Sequence, residues 1–113
     1  MKTMSIMYRT QPELLKIRMK LERLVQSGEM AMITDDEAEM VSTLDKVEHV
    51  LDSLLREELE TLKTMHGNKA NLLPDFYMSL SMCRHKKVQK RASAGAERLE
   101  RGWNLDDDGD APG

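Results

Sequence analysis

Apolar residues recur at spacings of three and four over most of the chain, and the longest such run sets the expected architecture. Val41, Leu44, Val47, Leu51, Leu54, Leu55, Leu59, Leu62 and Met65 draw one stripe along a helix. Its start reads as a capping box, Thr34 with Glu37, and Asp35 and Asp36 add negative charge where the helix dipole favours it. Its stop reads as Gly67. The pattern therefore predicts a single central helix over 34–67, about 32 residues and roughly 48 Å long.

A second box, Thr10 with Glu13, opens an earlier helix, and Pro12 stands in its first turn, where a missing N–H costs nothing. Leu14, Ile17, Leu21, Leu24 and Val25 carry its apolar face up to Ser27 and Gly28, which read as its end, giving roughly 26 Å of helix. The short connector 29–33 favours an antiparallel αα-hairpin. A third helix starts after the turn Asn71 to Pro74, anchored by the Phe76-Tyr77 pair and continued by Leu80 and Cys83. The expected fold is thus all-α: a hairpin with one long central helix, then a third, basic C-terminal helix. The domain layout reads as a disordered lead-in 1–9, a helical core 10–83, a basic amphipathic helix 84–103 and a disordered acidic tail 104–113.

Helix lengths carry a consequence. A helix of about 26 Å covers only half of one of about 48 Å. The remainder, Leu54 to Met65, must be covered by the third helix folding back or by another chain. Even with the third helix docked a homodimer is expected through the stripe, with Leu44, Leu51, Leu54, Leu55, Leu59 and Leu62 as its contact residues.

Beyond Cys83 the face used by Phe76 and Leu80 is continued by cations. Arg84, Lys87, Lys90, Arg91, Arg98 and Arg101 line up over about 25 Å, so the helix is expected to leave the core and engage an acidic protein partner or nucleic acid. A weaker apolar face, Val88, Ala92, Ala96, Leu99 and Trp103, lies opposite, and Gly95 weakens the helix. Charge supports this division: residues 1–65 carry a net −4, residues 66–102 a net +5, and 103–113 a net −4. A flexible acidic tail so close to a basic face is expected to compete with the partner for it.

Composition narrows the chemistry. At 113 residues with 4% aromatics and ten Met, the chain reads as one domain with a core of Leu, Val and adaptable thioethers. One Cys gives no intramolecular disulfide, and no stretch has the length of a signal-peptide core or a membrane span, so a cytoplasmic protein is expected. No Gly-rich phosphate loop, paired-Cys metal pattern or nucleophile elbow occurs, so no enzyme, cofactor or metal site is expected. Asp45, His49 and Asp52 share one helical flank and could in principle meet a divalent ion, but three polar residues on a solvated flank need no such explanation, and the flank is expected to bind none. Cys83 and His85 point apart on a helix. Glu48 and Glu58 fall inside or at the edge of the apolar stripe, either as a proton-active or metal site or as salt bridges that set register; Arg18 is the partner expected for Glu48. The overall expectation is a small non-enzymatic interaction or regulatory protein, with a nucleic-acid-binding accessory as the alternative.

Overall fold

The computed structural model describes residues 8–65 and 71–103. The expected acidic tail, the Gly67 stop and most of the lead-in lie outside the described residues. Within them the chain is all-α, with five helices where the sequence pattern suggested three: α1 Gln11–Ile33, α2 Glu37–Asp52, α3 Arg56–Thr64, α4 Leu72–Ser81 and α5 Lys86–Glu100.

α1 begins at the expected box, with Thr10 accepting from the Glu13 N–H and Glu13 accepting from the Thr10 N–H at 2.8 Å. It does not stop at Gly28. That glycine is buried in mid-helix, and a Cβ there would stand 2.5 Å from Phe76 Cε1, so its lack of a side chain serves close packing of α1 on α4. Thr34 caps the end of α1 rather than the start of α2, donating its hydroxyl to Met30 O at 3.1 Å. Asp35 takes a left-handed φ of 58°, and Asp36 then caps α2 by accepting from the Glu39 N–H.

The central rod is not continuous. It breaks at 53–55, where Ser53 donates back to Val50 O at 2.6 Å and Leu55 is extended. Glu58 reaches back to accept from the Leu55 N–H at 2.9 Å, which starts α3. The break lets α3 fold against α1, where Arg18 donates to Leu62 O at 2.8 Å. Leu44, Leu51, Leu54, Leu59 and Leu62 are consequently buried in the chain's own core, and only Leu55, 36% exposed, stays near the surface. The length mismatch that motivated a dimer through this stripe is removed by bending the rod.

α5 does not leave the core either. Its weaker apolar face is the one that packs: Val88, Ala92, Gly95 and Leu99 are buried, and the helix folds back along α4 with Tyr77 seated on Gly95. Phe76 and Tyr77 are both buried, with ring centroids 5.5 Å apart in an edge contact, as expected of an anchor. The described residues end at Trp103, buried at a left-handed φ of 60°.

Glu58 is the most enclosed carboxylate of the core. It accepts from the Arg9 N–H and the Arg9 guanidinium, both at 2.7 Å, so Arg9, expected within the disordered lead-in, is instead fixed. Burial works against its ionisation, but the N–H groups of Leu55 and Arg9 and the Arg9 charge outweigh it and hold the carboxyl below the ordinary glutamate range. A depressed carboxyl contributes stability that is complete above its unfolded-state value and is lost as pH falls through the folded one. Glu58→Gln should therefore cost about 1–3 kcal/mol at neutral pH and flatten the acid limb of stability. Urea titrations of both proteins at several pH values would check this; parallel curves would refute it.

Candidate interaction surface

The six cations expected to form one basic track do not act together. α5 lies beside α2 in parallel register, and three of the arginines are held by carboxylates along that seam. Arg91 bridges Asp45 and Glu48, each at 2.8 Å. Arg98 approaches Asp52 at 3.6 Å, donates to Trp103 O at 3.0 Å and stacks its guanidinium 4.4 Å from the centre of the Trp103 ring. Asp52 also accepts from the indole N–H of Trp103 at 2.7 Å. Arg84 and His85 close the same seam on Asp35, at 2.6 and 2.8 Å. The His85 hydrogen bond first, and the Arg84 charge with it, hold the Asp35 carboxyl below its usual range against a smaller desolvation effect. Lys87, Lys90 and Arg101 remain exposed, and Arg101 stands 3.8 Å from Glu97.

Two expected pairings are corrected by this geometry. Glu48 finds Arg91, not Arg18; Arg18 pairs with Glu22 at 3.1 Å. Asp45 and Asp52 are engaged by α5 while His49 stands exposed beside Lys20 and Lys46, and among the described residues no group of three or more His, Cys, Asp or Glu could hold a metal ion. Cys83 is half-buried, with its Sγ 3.8 Å from His85 O, and the His85 ring turns to Asp35 and Glu37. The Tyr77 hydroxyl is buried beneath the seam, without a hydrogen-bond partner among the described residues. Burial first, then the Glu48 charge, pushes its pKa up, with Arg91 and Arg98 opposing.

The feature that sequence reading missed is on the other side of α5. Between α4 and α5 runs a groove of about 250 Å³ lined by Pro74, Met78, Ser81, Ala96 and Leu99, with Lys63 and Glu100 at one end. Met78, on the α4 wall, is 60% exposed, and Met82, the C-cap of α4 four residues further on, is 75% exposed. Pro74, Met78 and Met82 follow each other at four-residue steps, a ridge that was visible as a spacing but was hidden by the stronger pattern of Phe76 and Leu80. Unbranched thioethers at an open groove can adapt to different apolar partners.

No protein-family model, curated protein or solved structure matches the chain. Among the described residues no helix is long and apolar enough to cross a membrane.

Proposed function

We propose that the protein is a non-enzymatic helical interaction module, and that its working surface is the α4–α5 face. The observation that carries this reading is Met78, 60% exposed in the wall of an apolar groove, with Met82 exposed four residues on, at the end of α4. The Leu core and the α2–α5 ion-pair seam act as scaffold, keeping the two walls of the groove at fixed separation. An amphipathic helix laying its apolar side into the groove is the recognition mode that such walls suit.

The test uses methyl-labelled full-length protein and an 18-residue Leu/Lys amphipathic peptide as probe. Met78, Met82 and Ala96 methyl resonances should shift together on titration, and Met78→Glu with Met82→Glu should weaken binding about ten-fold or more. Shifts confined to other parts of the molecule would refute the assignment. Lys87, Lys90 and Arg101 support a second reading, nucleic acid held by these exposed cations. With about three phosphates neutralised, affinity for duplex DNA should fall with a log–log salt slope of about −3; binding that ignores salt would exclude it.

A further inference from the structure

Along its solvent side α5 presents Lys86, Lys90, Ser93, Glu97 and Glu100, all exposed and separated by steps of four and three, so that they form one ridge bordering the groove. The first half of the ridge is basic and the second half acidic. Lys86, Lys90 and Glu100 make no ion pair with other described residues, and Glu97 has only the long 3.8 Å contact with Arg101. The midpoint between positions 86 and 100 is 93, and the midpoint between 90 and 97 falls beside it. The two charge pairs are therefore centred within half a residue of one another, at Ser93.

We infer that this ridge is the contact face for a second copy of the chain, with two α5 helices antiparallel about a two-fold axis at Ser93. In that arrangement Lys86 meets the partner's Glu100 and Lys90 meets the partner's Glu97, twice over. The spacings agree because each helix carries its lysines and glutamates about 10 and 21 Å apart. Parallel pairing would set lysine against lysine, so the pattern selects direction as well as partner. Ser93 and the neighbouring Ala96 keep the crossing narrow, and Met78, which lines the groove together with Ala96, flanks it as the apolar part of the contact.

A second observation points the same way. The helix dipole favours acidic groups in the first turn and basic groups in the last. α5 has no acidic residue in its first turn, which holds Lys86 and Lys87, while on the ridge side of its closing turns, where Arg98 is turned away to Asp52, stand Glu97 and Glu100. These charges oppose the helix that carries them, and they complement an antiparallel copy of it. Exposed ion pairs are individually weak, so association should be modest and salt-sensitive.

This inference rests on the α4–α5 face being the working surface, and the experiment separates the two. Sedimentation equilibrium of the full chain at low salt, from about 1 to about 500 μM, should show a monomer–dimer equilibrium. Lys86→Glu with Lys90→Glu makes the ridge wholly acidic, and Glu97→Lys with Glu100→Lys makes it wholly basic. Each variant alone should dimerise about ten-fold or more weakly, whereas an equimolar mixture of the two should form a heterodimer at least as tight as the parent. The recovery in the mixture shows that both variants are folded. A parent that stays monomeric throughout, or a dimer unaffected by both reversals, overturns the pairing. If the Leu/Lys peptide still shifts Met78 and Met82 in that event, the face keeps its function and only its partner changes; if the peptide fails while the parent dimerises with rescue in the mixture, the groove reading falls and the ridge stands.

Discussion

Replacing Trp103 by alanine is expected to remove about 3–5 kcal/mol of stability, the range found when a large buried aromatic is truncated and the cavity only partly closes. Against the 5–15 kcal/mol or so that holds a typical domain together, this would leave the chain near its unfolding threshold. The magnitude follows from how much one side chain joins. Its ring lies 6.3 Å from Tyr77 and under the Arg98 guanidinium, its indole N–H donates to Asp52 at 2.7 Å, and its carbonyl accepts from Arg98. Alanine would not relieve the left-handed backbone at this position, since it too has a Cβ. Trp103→Phe should keep most of the burial and lose the bond to Asp52, costing about 1–2 kcal/mol. Urea unfolding followed by far-UV circular dichroism would rank the two; equal costs would mean that the ring contributes nothing beyond its hydrogen bond.

Gly95→Leu is the other change expected to approach unfolding. A Cβ at this site would lie 2.5 Å from Tyr77 Cε1 and 3.0 Å from Cδ1 and Cζ. The ring cannot swing away, because Phe76 and Trp103 hold it on two sides. Alanine offers a graded version. It gains about 1 kcal/mol of helix propensity and sets against this about 1–3 kcal/mol of overpacking, so Gly95→Ala should be neutral to moderately destabilising while leucine is severe. Combining Gly95→Ala with Tyr77→Leu should give less than the sum of the single costs, because the second change removes the atoms that the first one strikes. Additive costs in that cycle would place the strain elsewhere.

These two sites show why part of the fold was legible in the sequence and part was not. The Thr10–Glu13 box and the apolar spacing of Leu14, Leu21, Leu44, Leu51, Leu59 and Leu62 are local signals, and the structure buries all six leucines. Gly28 and Gly95 carry the same local signal as a helix stop. What decides their role is an aromatic side chain nearly fifty positions away for Gly28 and eighteen for Gly95, which no window around the glycine contains. The break at 53–55 escaped for a related reason: only the glutamate half of a capping box marks it, without a hydroxyl at Leu55, and the three-and-four spacing runs through it undisturbed.

The role of the basic face depends on a second helix. Asp45 and Asp52 are seven residues apart, as are Arg91 and Arg98, and the structure sets the two pairs side by side. That equal spacing was available in the sequence as a sign that two helices share a parallel seam, and it would have divided the six cations into structural and exposed sets. The groove between α4 and α5 could not be found in this way, because its walls come from different helices whose side-by-side packing no local spacing specifies.

The Glu58 carboxylate links two distant points of the backbone. It closes the first turn of α3 through the Leu55 N–H and fixes the residue before the α1 cap through the Arg9 N–H. One proton on one side chain therefore loosens the entrances of two helices more than forty positions apart along the chain. In amide hydrogen exchange, protection in the first turns of α1 and α3 should fall in parallel as pH drops through the Glu58 titration, once corrected for the intrinsic pH dependence of exchange. Helix entrances that exchange together in this manner would behave as a single cooperative opening unit, although nothing in the order of the chain joins them.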